Sequence, residues 1–160
     1  MTAALSLCII LALIVSGVLY AASKAAPLDP RLIVEAIRQV ENTPRGWVGR
    51  VGERSEWQFR YETWTQYSAK PFHWASSSRV ECVKEQHRVA MAHAEWILRS
   101  LPDLNLSANA YSVGLVWTAG YGNVQNGDIT PAKYAYAERV EAVYHELVKK
   151  TYGAPEKISP

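Results

Sequence analysis

Helical spacing of the apolar residues is the feature that most constrains the fold. Apolar side chains recur three and four positions apart along most of the chain, whereas the alternation that marks a β-strand is almost absent. Helices with one apolar stripe must bury it against one another, so the pattern predicts a mostly α domain. Roughly 130 residues remain once the N-terminus is set aside, enough for one hydrophobic core but not for two domains.

The N-terminal run, residues 3–23, contains no charged side chain, and the first is that of Lys24. A run of this length suits either a secretory signal or a helix that crosses a membrane. We therefore expect an exported protein, periplasmic or extracellular, with or without an anchor in the inner membrane. The chain divides into a signal peptide or anchor (1–26), a helical domain (27–150) and a flexible tail (151–160).

Charge and cysteine content exclude several classes of function. The chain has 17 Lys and Arg, 15 Asp and Glu and a net charge of +2, without a basic stripe, so we expect no nucleic-acid partner. Cys8 lies in the apolar run, which leaves Cys82 without a disulfide partner, and the apolar neighbours of Cys82 predict a buried thiol. The four histidines lack metal-binding spacing, so we expect no metal and no cofactor.

The first predicted helix ends on an acid. Asp29 is a good N-cap, Pro30 suits the first helical position, and Ile33, Ile37 and Glu41 follow on one face because residues four apart stack. Glu41 therefore points inward or into a cleft. Desolvation and the negative end of a helix both raise a carboxyl pKa. A general acid at a glycosidic bond needs a raised pKa of this kind. The alternative interpretation is that Glu41 is a solvated residue at a frayed helix end.

Four further helices are predicted, separated by loops. A short one covers residues 58–67, and a long one opens at a capping box of Ser78 and Glu81. Residues 107–118 are apolar nearly all round, which is typical of a central buried helix, and Thr130 caps the last helix. The inward residues of the long helix are expected to be Val80, Val83, His87, Ala90, Met91, Ala94, Ile97, Leu98 and Leu101.

Four segments, in order, resemble motifs of the soluble lytic transglycosylases and goose-type lysozymes. Glu41-Asn42 resembles the Glu-Ser that ends their first helix, and "GERSEWQF" resembles their G-A-x-G-L-M-Q-I segment at Gly52 and Gln58. "VWTAG" is similar to their A-Y-N-A-G turn, and "YAERV" to their Y-V-x-R-V helix. The matches extend over residues 29–148. The resemblance implies a domain of the lysozyme-like superfamily.

By this resemblance the protein is an enzyme that cleaves the β-1,4 bond between N-acetylmuramic acid and N-acetylglucosamine in peptidoglycan glycan strands. Glu41 would be the general acid and then the base. A lytic transglycosylase needs only that carboxyl, because a hydroxyl of the sugar closes an anhydro ring. A hydrolase needs a second one, for which Glu53 and Glu56 are candidates, about 6.5–9.5 Å away in an inverting enzyme. Chitinase-like hydrolysis with Glu53 as base is a further alternative.

The same segments contain candidate substrate-binding residues, since amides hydrogen-bond to sugars and flat aromatic rings offer apolar surfaces. They are Gln58, Trp57, Trp117, Thr118, Ala119, Gly120, Tyr121 and Tyr136. Trp47 and Trp74 are further candidates. The alternative for each tryptophan, and for His87, is a packing role in the core.

Several positions depart from the family motifs. Asn42 replaces the serine after the acid, Trp57 replaces a methionine, Ser55-Glu56 replaces Gly-Leu, and Thr118 replaces the asparagine of the turn. The departures favour a second interpretation: a peptidoglycan-binding or structural cell-wall protein that has the fold but no turnover.

Overall fold

The computed structural model describes residues 28–44 and 46–153, which contain six α-helices. These are α1 (Pro30–Glu41), α2 (Tyr61–Tyr67), α3 (Val80–Ser100), α4 (Ala110–Ala119), α5 (Tyr121–Asn126) and α6 (Pro131–Tyr152). Two 3-10 helices, Phe72–Ser76 and Pro102–Leu104, lie on either side of α3. Within this part of the chain there are isolated β-bridges but no strand, so the prediction of a mostly α domain is confirmed.

The predicted signal peptide or anchor, residues 1–26, lies outside the described residues. Of the helices described here, none combines the length and the apolar character needed to cross a bilayer. The tail begins later than predicted, because α6 continues to Tyr152. The remainder of the predicted tail, from residue 154, also lies outside the described part.

Helix α4 occupies the centre of the fold, as its all-round apolar sequence predicts. It packs against α3 and α6, and α1 packs against the same two helices. Gly114 allows the close approach of α6, since a Cβ there would lie 3.0 Å from the Cβ of Val140. The helix begins at Ala110, later than predicted, because the Asn109 side chain accepts a 2.7 Å hydrogen bond from the backbone N–H of Ser112 and caps it.

Asp29 caps α1, as predicted, and also ties this helix to the end of α6. Its carboxylate accepts hydrogen bonds from the backbone N–H of Arg31 at 2.9 Å and from the Tyr152 hydroxyl at 2.8 Å. Its own N–H donates to the Tyr144 hydroxyl at 3.2 Å. The side-chain hydrogen bonds from Arg31 hold the pKa of Asp29 well below its usual range. The carboxylate therefore stays ionised and holds both helix ends at neutral pH.

Replacing this cap should loosen the junction of α1 and α6. We expect Asp29→Ala to lower the free energy of unfolding by about 0.5–2 kcal/mol, because an N-cap side chain contributes that much. Urea denaturation at pH 7 measures the change, with the exposed Asp128→Ala as control. Equal stability of the two variants would contradict a structural role for the cap.

The predicted buried face of α3 is confirmed in the second half of the helix and wrong in the first half. The helix begins at Val80 after Arg79, whose side chain makes no capping bond to the described residues, so Ser78 and Glu81 do not form the expected box. Val80 is 69% exposed and His87 is also exposed. Ala90, Ala94, Ile97 and Leu101 are buried as predicted. The rest of the buried face consists of Cys82, Gln86, Val89 and Ser100 rather than of Val80, Val83 and His87.

A buried glutamine explains the difference in the first half of α3. The side-chain amide of Gln86 donates to the carbonyl oxygens of Trp74 and Ser77, both at 2.8 Å, and so fastens α3 to the preceding 3-10 helix. A glutamine whose hydrogen bonds are satisfied can occupy the core, but it interrupts an apolar pattern. Cys82 lies on the same face and is 2% exposed, so the prediction of a buried thiol is confirmed.

Two local predictions before and after α4 also need correction. Helix α2 begins at Tyr61 rather than at residue 58, because residues 54–59 form a tight turn in which Arg54 and Phe59 exchange backbone hydrogen bonds of 2.9 and 2.7 Å. The segment at the end of α4, which the resemblance matches to a turn of the family, bends only at Gly120, where φ is +82°. It then continues as helix α5.

Candidate active site

A cleft of about 740 Å³ opens between the end of α1, residues 53–60, α2, the ends of α3 and α4, α5 and the start of α6. It brings together almost all of the site residues that the sequence predicts. Those in its wall are Glu41, Glu53, Trp57, Gln58, Trp117, Thr118, Ala119, Gly120, Tyr121 and Tyr136. The four segments that carry the resemblance therefore meet at one place, although they are far apart in the chain.

Glu41 ends α1 and lies in the cleft wall, so the predicted orientation is confirmed. Asn42 follows in the left-handed conformation, with φ of 46°, and its N–H bonds to the Arg38 carbonyl, which ends the helix there. Burial raises the pKa of the Glu41 carboxyl above its ordinary value, and the negative charge of Glu53 raises it further. A hydrogen bond from Tyr136 and the charge of Arg139 act in the opposite direction and do not cancel the rise.

Tyr136 is the direct partner of this acid. Its hydroxyl donates a 2.7 Å hydrogen bond to Oε1 of Glu41, across 95 positions of sequence. The ring is 8% exposed, and burial together with the neighbouring carboxylate raises the tyrosine pKa well above its usual value. The hydroxyl therefore stays protonated at all ordinary pH values and remains a donor to Glu41.

Removing that donor should make Glu41 a weaker acid. The Tyr136 hydrogen bond favours the ionised carboxylate, so we expect Tyr136→Phe to raise the pKa of Glu41 further. Carboxyl chemical shifts followed through a pH titration by NMR would measure the change. Tyr134→Phe, at an exposed position of the same helix, is the control. An unchanged or lowered pKa in Tyr136→Phe would contradict the assigned bond.

The two candidate second carboxylates lie in different places. Glu53 lines the cleft with Glu41, and its Oε2 accepts a 3.2 Å hydrogen bond from the backbone N–H of Val51. Glu56 does not belong to the cleft, which corrects its prediction. It is 8% exposed, lies 3.4 Å from the Arg38 guanidinium and lines a separate pocket of about 370 Å³ that also includes His87.

The reversal of the chain in residues 54–59 separates Glu53 from Glu56. Ser55 and Gln58 both adopt left-handed backbone conformations, with φ of 76° and 50°. The Gln58 amide donates to the Ser55 carbonyl at 2.8 Å and to the Thr43 hydroxyl at 3.4 Å. The NH₂ group of Gln58 thus holds the turn, although the residue also lines the cleft as predicted.

The tryptophans divide into core and cleft residues. Trp57 is 3% exposed, its ring nitrogen donates to the Val34 carbonyl at 3.1 Å, and its ring stacks near Phe59, so its packing role outweighs the predicted sugar stacking. Trp117 is half-buried and faces the cleft, as does Tyr121. Trp47, at 51% exposed, and Trp74 lie outside the cleft.

Several cleft residues were not predicted from the sequence. His93 and Trp96 of α3 line the cleft beside the predicted residues Trp117 and Tyr121, and Arg60 and Lys133 lie at the cleft as cations. Lys133 precedes Tyr136 by three positions, so helical spacing would have placed both on one face. His93 and Trp96 gave no comparable signal, because only the packing of α3 against α4 brings them to the cleft.

Among residues 28–44 and 46–153, no group of three histidines, cysteines or carboxylates lies close enough to hold a metal ion. Comparisons of the chain with protein-family models, with curated proteins and with solved structures find no match. Function must therefore be inferred from the chemistry of the cleft and from the four motif resemblances.

Proposed function

We propose that the protein cleaves the β-1,4 bond between N-acetylmuramic acid and N-acetylglucosamine in peptidoglycan glycan strands, as a lytic transglycosylase or lysozyme-type hydrolase of the lysozyme-like superfamily. The observation that carries this proposal is a desolvated glutamate, Glu41, which is held by the Tyr136 hydroxyl in the wall of an open cleft. Burial raises the pKa of this carboxyl, which is the direction that a general acid requires.

In the first step, protonated Glu41 gives its proton to the bridging oxygen while the bond from that oxygen to the sugar breaks. The sugar ring gains oxocarbenium character, and Glu41 becomes a carboxylate. The Tyr136 hydrogen bond and the nearby Arg139 charge both favour that ionised form. The same two groups therefore lower the free energy of the state that follows proton transfer.

The second step can follow either of two routes. In a transglycosylase, a hydroxyl of the same sugar attacks the anomeric carbon and gives its proton to Glu41, which forms a 1,6-anhydro ring. In a hydrolase, water attacks, and Glu53 is the available base because it shares the cleft with Glu41. Mass spectrometry of the released fragments separates the routes, since anhydro ends lack one water relative to reducing ends.

Two cations at the cleft, which Glu41, Glu53 and Glu62 also line, offer partners that an acidic polymer can use and neutral chitin cannot. Lys133 and Arg60 both line the cleft, and neither has an ion-pair partner within the described ranges of the chain. N-acetylmuramic acid bears a lactyl group, and its attached peptides carry carboxylates. These cations are therefore available to the substituents that distinguish peptidoglycan from chitin.

A change of Lys133 tests this preference. We expect Lys133→Gln to raise the KM for peptidoglycan fragments about two- to fivefold, the effect of one solvent-exposed charge pair. The Kd for chitooligosaccharides, which carry no carboxylates, should not change. Lys149→Gln, on the exposed end of the same helix, is the control. An equal change for both substrates would contradict recognition of the acidic groups.

The alternative is a protein that binds peptidoglycan without cleaving it. The involvement of the Gln58 amide in the turn, together with Thr118 in place of the family asparagine, favours this alternative. A turbidity assay on purified peptidoglycan, combined with sedimentation of bound protein, separates the two. Clearing supports the enzyme, whereas sedimentation without clearing supports the binding protein.

Export is part of the proposed function, because peptidoglycan lies outside the inner membrane. Residues 1–26 would direct the chain there and either leave the mature protein or tether it to the membrane. N-terminal sequencing of protein recovered outside the cytoplasm tests this step and shows whether the segment is removed.

A further inference from the structure

One side of the cleft is a continuous row of aromatic rings, here called the aromatic wall, formed by Tyr121, Trp96, His93 and Trp117. The ring centroids of Tyr121 and Trp96 are 5.8 Å apart, those of Trp96 and His93 are 5.9 Å apart, and those of His93 and Trp117 are 4.7 Å apart. All four residues line the cleft and are half-buried rather than enclosed in the core. The wall therefore offers several aromatic rings, set at different angles, to whatever occupies the cleft.

His93 adds one accessible polar atom to this surface. Its Nδ1 lies 3.3 Å from the Tyr67 hydroxyl. Its Nε2 makes no hydrogen bond to a described residue. Among those residues, only Arg54 Nε is both unpaired and shielded from solvent, so His93 Nε2 is accessible to solvent. Because His93 lines the cleft, Nε2 reaches solvent there.

The imidazole is a neutral group at the pH of most environments. Burial lowers the His93 pKa to about 4, so the ring carries no charge above mildly acidic pH. A neutral imidazole has one donor nitrogen and one acceptor nitrogen. The Tyr67 hydroxyl can accept a hydrogen bond from Nδ1 in one tautomer and donate a hydrogen bond to it in the other. Nε2 can therefore accept a hydrogen bond from a hydroxyl or amide of a ligand, or donate one to it.

We propose that the aromatic wall is a sugar-binding subsite that holds one N-acetylhexosamine residue of the glycan beside the bond to be cleaved. The apolar C–H face of the pyranose packs on the part of the Trp96 ring that faces the cleft, and His93 Nε2 makes a hydrogen bond to a hydroxyl or to the N-acetyl group. The planes of the Trp96 and His93 rings are only 8° apart. An apolar ring beside one neutral polar atom matches the apolar face and the polar edge of a pyranose. This inference rests on the proposed function.

Binding of tetra-N-acetylchitotetraose, measured by isothermal titration calorimetry, tests the subsite. Glu41→Gln serves as the background so that the oligosaccharide stays intact. We expect Trp96→Ala to raise Kd about tenfold, and Trp96→Phe to restore much of the affinity, because an aromatic face contributes on that scale. His93→Phe, which keeps a ring but removes Nε2, should raise Kd about two- to tenfold.

Matched controls lie outside the cleft. Trp47→Ala and His87→Phe change exposed residues of the same types and should leave Kd unaltered. Tyr121→Ala is the second wall variant, for use if thermal melting shows that Trp96→Ala does not fold. We expect its Kd to rise several-fold.

The outcomes separate the subsite from the reaction. Unchanged Kd in the folded wall variants, or no binding of the tetrasaccharide by the Glu41→Gln background, would overturn the subsite. Tetrasaccharide binding that the wall variants weaken would support it. If the unaltered protein also fails to clear peptidoglycan, the cleavage proposal fails while the subsite stands.

Discussion

Glu41→Gln is expected to lower the rate of peptidoglycan cleavage about 10²–10⁴-fold, which is the contribution of a general acid. Glutamine has the same shape and can still accept the Tyr136 hydrogen bond, but it has no proton to transfer to the bridging oxygen. Turbidity loss and fragment release from purified peptidoglycan measure the rate. Binding to peptidoglycan should change little, since the cleft remains formed.

The same substitution should stabilise the fold at neutral pH. Burial raises the folded-state pKa of Glu41, so the folded protein holds this proton more tightly than the unfolded chain does. The resulting stability is complete below the unfolded pKa and is lost as pH rises through the folded pKa. An amide resembles the neutral acid, so Glu41→Gln should have the larger free energy of unfolding at pH 7 and a smaller advantage at pH 4.

Two further carboxylate variants extend the cleavage test of Glu41. Glu146→Gln changes an exposed acid outside the cleft and should keep full activity. Glu53→Gln should remove hydrolysis but leave anhydro-forming cleavage largely intact, because only the hydrolytic route uses that base. Equal clearing by Glu41→Gln and the unaltered protein would refute the assignment of the acid.

Trp64→Ala is expected to lower the free energy of unfolding by about 3–5 kcal/mol, the range for deletion of a buried aromatic side chain. Trp64 is fully buried, with ring centroids 6.0 Å from Phe59 and 6.4 Å from Phe72. Its ring nitrogen also donates a 2.7 Å hydrogen bond to the Lys70 carbonyl. The substitution would therefore leave both a cavity and a carbonyl without its partner.

Urea denaturation measures this loss, and Trp47 provides the matched control. Trp47 is 51% exposed, so Trp47→Ala should change the free energy of unfolding by less than about 0.5 kcal/mol. A small effect of Trp64→Ala would mean that α2 is not part of the cooperative core. The cleft would then lose one of the elements that form it.

Local signals predicted those parts of the structure that local forces determine. The cap at Asp29 and the stripe of Ile33 and Ile37 located α1 and the inward direction of Glu41, because capping and helical spacing act within a few residues. The central position of α4 followed from its uniform apolar surface. These features required no knowledge of which helices are neighbours.

The misassigned parts depend on contacts between distant segments. Gln86 is buried because its amide donates hydrogen bonds to the carbonyls of Trp74 and Ser77. The spacing of apolar residues does not reveal such hydrogen bonds. Glu56 turns away from the cleft because the chain reverses between it and Glu53. His93 and Trp96 join the cleft only through the packing of α3 beside α4, so their positions could not be predicted from their own neighbours in sequence.

The left-handed backbone conformation of Ser55 and Gln58 has a consequence for directed evolution of this protein. Each such residue strains the backbone by about 1–2 kcal/mol, and glycine would relieve that strain. A library selected only for heat resistance should keep serine at position 55, whose Oγ accepts a hydrogen bond from the Trp57 N–H. It should accumulate glycine at position 58 if the relief of strain exceeds the loss of the hydrogen bonds from the Gln58 amide. A library selected for sugar turnover should keep glutamine at position 58, so the contrast between the two populations would reveal whether its side chain serves the substrate or only the loop.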